Sequence, residues 1–261
     1  MNQERNQHPS SADQPGAPLE PFENDFRDTQ LIQSAFLGDE AGVRALLTGS
    51  AVQDLEAENI FGFTALIRAS MAGAAGIVEL LLEHGSAVDH ADLLNMTPLI
   101  WATTRQYLEV MAVLLANGAD PDARTRHGST AMHEAALRGY DKAIGMLSEH
   151  HAAIDAANHQ GWTPLMQALR KRQVATARLL IDMGASVRTS DKFGLSVLML
   201  AVKTGDHHLV KELIRRGADP QETSAQGDTP LKEAEKHHNT VIGNFLREAI
   251  QQREKETTNN H

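Results

Sequence analysis

The sequence contains no cysteine. Disulfide bonds, thiolate metal sites and cysteine nucleophiles are therefore excluded, and we expect a reducing compartment. The chain has no run of about 18 apolar residues, so it predicts no transmembrane helix. Its start, Met1 to Arg5, lacks the basic residues and apolar stretch of a secretory signal. We therefore expect a cytoplasmic protein, with delivery to another cell or compartment as the open alternative.

Aromatic residues are scarce, at 4% of the chain, although 41% of the residues are apolar. The core must then consist of Ala, Leu, Ile, Val and Met, which favours closely packed helices over a β-sandwich. The formal net charge of −10 favours solubility and argues against general nucleic-acid binding.

Sequence motifs of common enzymes are missing as well. There is no Gly-x-Ser-x-Gly elbow, no phosphate-binding Gly-x-x-x-x-Gly-Lys and no dinucleotide-binding Gly-x-Gly-x-x-Gly. Asp92 and Asp191 are interpreted as turn residues rather than as catalytic carboxylates. The 13 histidines include three adjacent pairs, but neighbours on a helix point about 100° apart and do not chelate one metal. We expect no catalytic site, no metal and no cofactor.

A short phrase near Thr-Pro-Leu-His recurs every 33 residues, and an earlier copy starts at Thr29, offset by 35. A fixed period of this length predicts a solenoid, in which each repeat packs on its neighbours. The regular copies start at Thr64, Thr97, Thr130, Thr163, Ser196 and Thr229.

Each copy predicts two short helices. Thr163 is placed to cap the first helix, and Pro164 occupies its first position, where a missing N–H costs nothing. Gly139 ends the equivalent helix of its copy, whereas Arg172 stands where that glycine is expected. Helices of 8 to 10 residues are marginal alone, so neighbouring copies must hold them.

These segments resemble ankyrin repeats, most clearly at Gly128–Ala136 with Gly139 and at Glu79–Gly85, and the resemblance covers about 220 residues. It implies an all-α solenoid of about seven stacked helix–turn–helix repeats with β-hairpin loops, the first and last acting as caps. It also implies a non-enzymatic protein that binds other proteins. We therefore predict that the chain has three segments. They are a disordered acidic, proline-containing leader at 1–28, the ankyrin repeat domain at 29–250, and a flexible polar tail at 251–261.

Some residues depart from the family pattern. Only His133 keeps the motif histidine, so the hydrogen bonds that this position usually makes are in doubt elsewhere. Asn95 and His151 replace glycines, and we expect His151 to be a weak joint because histidine tolerates left-handed backbone poorly. The residues equivalent to His133 are Ile67, Ile100, Met166, Met199 and Lys232.

The resemblance places first helices and loops on a concave groove. Six positions per copy are expected to face it: four, three and one before the motif threonine, and four, seven and eight after it. They hold nine basic residues and three acidic ones, so we expect a positive face, with ordinary solvated helix charges as the alternative. The basic residues are Arg68, Arg105, Arg126, Arg138, Arg170, Lys171, Lys192, Lys203 and Lys236, and the acidic ones are Glu134, Asp228 and Glu233.

The same positions concentrate aromatic side chains, which is typical of an interaction hot spot. We expect the side chains of Phe63, Met96, Trp101 and Trp162 to be exposed. For Phe61, Leu94 and Phe193 two alternatives stay open: contact with a partner, or packing between adjacent loops.

The sequence thus predicts a monomeric module that binds a protein segment carrying acidic and large apolar residues. One alternative is an inhibitor or regulator of a partner enzyme. Another, less favoured, is a binder of an anionic polymer such as RNA; no membrane partner is expected. The predicted binding residues are Phe61, Phe63, Met96, Trp101, Arg105, Arg126, Arg138, Trp162, Arg170 and Lys171.

Overall fold

A computed structural model describes residues 29–49 and 54–259. The leader expected at 1–28 lies outside the described residues. Within the described ranges the chain forms fourteen helices, arranged as seven helix pairs. They are α1 (Gln30–Leu37), α2 (Glu40–Thr48), α3 (Ala65–Ala72), α4 (Ala75–Glu83), α5 (Pro98–Thr104), α6 (Leu108–Ala116), α7 (Ala131–Arg138), α8 (Asp141–Glu149), α9 (Pro164–Arg170), α10 (Val174–Asp182), α11 (Val197–Thr204), α12 (His207–Arg215), α13 (Pro230–Lys236) and α14 (Thr240–Asn259).

The repeated threonine starts the first helix of each pair, as the sequence predicts. The Thr163 side chain accepts a hydrogen bond from the Met166 N–H, and Ser196 does the same for Met199. These bonds satisfy one of the backbone donors that a helix start leaves free. Pro164 occupies the first position of α9, as its fixed φ favours.

The helix pairs stack into a solenoid. First helices pack in one row, from α1 on α3 through to α11 on α13, and each second helix packs on the first helix of its own pair. The main buried cluster runs through the whole row and consists of Ala, Leu, Ile, Val and Met. This confirms the predicted all-α solenoid and the composition of its core.

The loops before the first helices are tight turns, which we call finger loops. In each, the N–H of the first residue donates to the carbonyl of the fifth, as from Asp92 to Met96, and the first side chain also accepts from the N–H of the fifth. The expected β-hairpins are reduced to this turn: among the described residues only an isolated bridge, Ser190 to Ser196, has strand-type pairing. The turn role of Asp92 and Asp191 is confirmed. The finger loops are residues 59–63, 92–96, 125–129, 158–162, 191–195 and 224–228.

Several residues other than glycine have left-handed backbone. Asn95 and His151 do so with φ of 56° and 62°, as their glycine positions predict. Gln106, Arg172 and His238 do so at the end of α5, α9 and α13, the three helices that begin with proline. Left-handed geometry costs side-chain-bearing residues about 1–2 kcal/mol each, so these are strained joints between helices.

The last helix is longer than the sequence suggests. α14 continues through Gln251 to Asn259, so helix covers most of the segment that was expected to be a flexible tail. Arg253 on this extension forms an ion pair with Asp219 of the preceding loop. Within residues 29–49 and 54–259, no helix combines the length and apolar character needed to cross a bilayer.

Candidate protein-binding surface

Two predicted contact residues, Phe63 and Trp101, are buried. Only 5% of Phe63 and 8% of Trp101 is accessible, so their expected exposure is wrong. Their rings meet edge to face, with centroids 5.9 Å apart, and form a small cluster with Ile67 and Met71 that is separate from the main core. Phe63 immediately precedes one motif threonine, and Trp101 stands four residues after the motif threonine of the next repeat. The stack brings these two positions into contact, so two large rings placed there bury each other.

Trp101 is also held by a polar contact. Its indole N–H donates to Asp92 Oδ2 at 2.9 Å, and Asp92 Oδ1 accepts from the N–H groups of Leu94 and Met96. One carboxylate therefore ties the finger loop to α5. A buried indole needs such an acceptor, so Trp101 is part of the framework beneath the surface.

The remaining apolar residues of the predicted surface are either half-buried or exposed. Met96 and Trp162, also expected to be exposed, are half-buried. Phe61 is half-buried too, with its ring 5.8 Å from that of Phe63, so packing between loops accounts for part of its surface. Leu94 and Phe193 join adjacent loops only through their backbone carbonyls, and both side chains are exposed.

An exposed apolar rim lies at the tips of the second and third repeats. Leu93 and Leu94 are 55% and 50% accessible, and Ile60 on the adjacent loop is also exposed. The Leu93 N–H donates to the Phe61 carbonyl, which brings the two tips together. Contiguous exposed apolar side chains of this kind are typical of an interaction surface.

Several basic residues of the predicted face are neutralised or buried. Arg138 pairs with Glu134, and Lys203 lies 3.7 Å from Glu233. Lys236 lies 3.8 Å from Asp228 and 3.9 Å from Glu233. All three acidic residues at these positions thus pair with basic residues of the same predicted face.

Arg68 is buried as well, with 2% of its surface accessible. Its guanidinium lies 3.8 Å from the centroid of the Phe36 ring and 5.7 Å from that of Phe63. A cation over aromatic faces is attracted by their quadrupoles. Phe36 was missed by sequence reasoning, although it stands seven residues after Thr29, at a position expected to face the groove in the later copies.

Five of the nine predicted basic residues have no carboxylate within ion-pair distance among the described residues: Arg105, Arg126, Arg170, Lys171 and Lys192. Arg105 follows α5 and Lys171 follows α9, where the helix dipole favours a positive charge. The Arg170 guanidinium lies 5.2 Å from the centroid of the Trp162 ring. Arg126 donates to the Leu93 carbonyl, at the junction between the apolar rim and the other cations.

His133 links two repeats beneath this surface. Its Nε2 lies 2.9 Å from the Trp162 carbonyl, and its Nδ1 accepts from the Thr130 N–H. Only the neutral ring with hydrogen on Nε2 satisfies both contacts. Burial lowers the pKa of His133 below its ordinary value and stabilises this neutral form.

The stacked helix pairs agree with the sequence comparisons. The family described as "Ankyrin repeats (3 copies)" matches residues 31–125, 120–191 and 183–256, and the chain belongs to the ankyrin repeat family. Ankyrin repeat domains are generally protein–protein interaction modules.

Two solved structures are similar along most of the chain. The ankyrin repeat domain of Bcl-3, described as a unique member of the IkappaB protein family, has a TM-score of 0.75 and 28% identity, covering 84% of this chain and 98% of that one. The human ASB11 ankyrin repeat domain has a TM-score of 0.71 and 23% identity, covering 85% and 98%, and shares the fold. No curated protein sequence matches the chain.

Proposed function

We propose that this protein is a non-enzymatic module that binds an acidic protein segment with large apolar side chains. The observation that supports the proposal is a set of cations without a carboxylate in ion-pair distance among the described residues, including Arg105, Arg170 and Lys171, at positions expected to face the same groove as the exposed Leu93 and Leu94. The formal net charge is −10, so the rest of the surface repels an acidic partner on average. This restricts the approach of such a partner to the positive region.

The two halves of the surface have different tasks. The apolar rim and the half-buried Phe61 and Met96 beside it offer contacts for large side chains. Such side chains supply most of the affinity in protein interfaces. Phe63 and Trp101 support this rim from below rather than contacting the partner directly.

The cations mainly affect the rate of association and the register of the bound segment. Positive charge beside an apolar contact speeds association with an acidic segment and fixes its direction. Arg126 lies at the junction of the two halves, and Arg138 is available only if the partner displaces Glu134. A cytoplasmic location and a monomeric state belong to this proposal, and the absence of cysteine fits a reducing compartment.

A selection from a random peptide library tests the proposal with the purified protein. We expect the bound peptides to be enriched in Asp and Glu beside Phe, Trp, Leu or Met. Leu94→Ser and Lys171→Glu should each weaken binding about tenfold or more, as expected at an interface hot spot. The control Lys142→Glu, exposed on α8, should not.

Peptides without acidic residues, or peptides that bind the two surface variants as well as the wild type, would refute it. So would a preference for RNA over every peptide, lost by orders of magnitude between about 50 and 200 mM salt, as counterion release predicts.

A further inference from the structure

The guanidinium of Arg170 is oriented by two contacts, although the side chain is exposed. Its Nε donates to Gln167 Oε1 at 3.2 Å, and its Cζ lies over the Trp162 ring, 5.2 Å from the centroid. Neither of its two terminal NH2 groups has an acceptor within residues 29–49 and 54–259. The contacts therefore fix the guanidinium and leave its outer end unengaged.

The groups that orient Arg170 are themselves fixed. The Trp162 N–H donates to Asn158 Oδ1 at 3.0 Å, and the Trp162 carbonyl accepts from the Asn158 N–H and from His133 Nε2, both at 2.9 Å. Gln167 lies on α9 with only 9% of its surface accessible. A side chain that is ordered before binding loses less conformational entropy when a ligand arrives, so Arg170 is preorganised.

The unengaged end of this guanidinium fits a carboxylate. A guanidinium is planar and donates two parallel N–H···O bonds to one carboxylate, which a lysine ammonium does not reproduce. Arg138, on the preceding repeat, already pairs with Glu134. Arg170 has no Asp or Glu within ion-pair distance in the part of the chain that the structure describes, so its carboxylate has to come from a partner.

We propose that Arg170 determines the register of the bound segment, by donating both NH2 groups to the side-chain carboxylate of one Asp or Glu. Gln167 and Trp162 are positioning residues, which orient the guanidinium without contacting that carboxylate. The inference rests on the proposed function, because it identifies one particular acidic residue of the segment that the proposed function requires.

The stack predicts how far this acidic residue lies from the apolar anchor of the segment. Leu94 belongs to the third repeat and Arg170 to the fifth. Packed helices lie about 8–10 Å apart, so two repeats span about 16–20 Å. An extended segment covers about 3.3 Å per residue, so the essential acidic residue should stand about five or six residues from the large apolar side chain at the rim.

A double-mutant cycle between the protein and a library-selected peptide tests the proposal. The peptide is amidated at its C-terminus, so that its carboxylates are all side chains, and each Asp or Glu is replaced in turn by Asn or Gln. With the wild type, one replacement, at the spacing given above, should weaken binding about tenfold or more. With Arg170→Lys, the same replacement should weaken binding less than about threefold, because lysine keeps the charge but cannot form the paired bonds.

The repeats supply conservative variants for this test. Arg170→Lys suits the fold, since Lys203 holds the equivalent position of the next repeat. Arg215→Lys, the same change on the exposed end of α12, is the matched control and should bind within about twofold of wild type. Gln167→Leu, with Leu200 as its equivalent, should weaken the acidic peptide about threefold or more and leave the affinity of the amide peptide unchanged. A merely structural role of Gln167 would weaken both peptides equally.

Two results would overturn the assignment of Arg170 while leaving the proposed function intact. One is an equal effect of every acid-to-amide replacement on wild type and Arg170→Lys. The other is an essential acidic residue next to the apolar anchor, where it cannot reach Arg170. A selection that returns no acidic peptides would instead refute the proposed function, and this inference with it.

Discussion

The Trp101 indole and the Asp92 carboxylate form a 2.9 Å hydrogen bond that joins a finger loop to the helix behind it. The same carboxylate accepts from two backbone N–H groups of its own loop. Because Trp101 also packs on Phe63 of the preceding repeat, the bond connects two repeats and the loop between them. The rim residues Leu93 and Leu94 lie on that loop, so their position depends on this bond.

Asp92→Asn should destabilise the protein by about 1–3 kcal/mol, the usual cost of an unsatisfied buried donor. The amide oxygen can still accept from the loop N–H groups, as Asn158 does in its loop, but its NH2 then faces the indole N–H. Urea unfolding followed by tryptophan fluorescence measures the loss.

Asp191→Asn is the matched control for this prediction. Asp191 makes the same loop hydrogen bonds to Phe193 and Leu195, without an indole donor. It should cost much less than Asp92→Asn, and equal losses for the two variants would show that the Trp101 contact contributes nothing.

His133 should make stability depend on pH. Burial lowers its pKa in the folded state below the ordinary value of 6.5, so the unfolded chain binds the proton more readily. The contribution is therefore fully present above pH 6.5 and is lost as the pH falls through the folded-state pKa. The free energy of unfolding, measured from pH 8 to pH 5 in denaturant titrations, should fall on the acidic side.

His133→Met provides the comparison, because Met166 and Met199 occupy the equivalent positions of later repeats. At pH 8 this variant should be less stable by about 1–2 kcal/mol, since it loses the bonds to Thr130 and Trp162. Its stability should fall less than that of wild type on acidification. Parallel pH curves for the two proteins would contradict the assignment.

Replacing His151 by glycine should increase the stability of the protein. His151 has φ of 62°, whereas the equivalent Gly118 has φ of 85° in its repeat. His151→Gly should stabilise the protein by about 1 kcal/mol by removing the left-handed strain. The reverse change, Gly118→Ala, should cost about as much, since an added Cβ there meets no atom within 4 Å and only the backbone strain remains. Thermal unfolding that shifts both variants in the same direction would refute the explanation.

The sequence predicted what depends on local chemistry and period. Capping by Thr163 and Ser196, the left-handed backbone of Asn95 and the turn role of Asp92 each follow from residue type and spacing, and all are present. The burial of Phe63 and Trp101 was not predictable in this way. It depends on two rings from different repeats meeting across the stack, and single-repeat spacing does not show such a contact.

The charged face was predicted in composition but not in pairing. Counting residues gave nine cations, whereas the structure buries Arg68 and neutralises Arg138, Lys203 and Lys236. Whether a cation stays free depends on which acidic side chain the next helix places within reach. That distance is a property of the stacked helices.

The central claim is that cations of the predicted groove face that have no nearby carboxylate, such as Arg170 and Lys171, select an acidic partner. It is tested most directly by the association rate of a library-selected peptide with the double variant Arg170→Glu/Lys171→Glu. The control is Lys142→Glu/Lys211→Glu, which makes the same change in net charge on the exposed sides of α8 and α12. We expect association with the first variant to be about tenfold slower or more at low salt, and that with the control to stay within about twofold of wild type. Equal association rates for the two variants would contradict the claim.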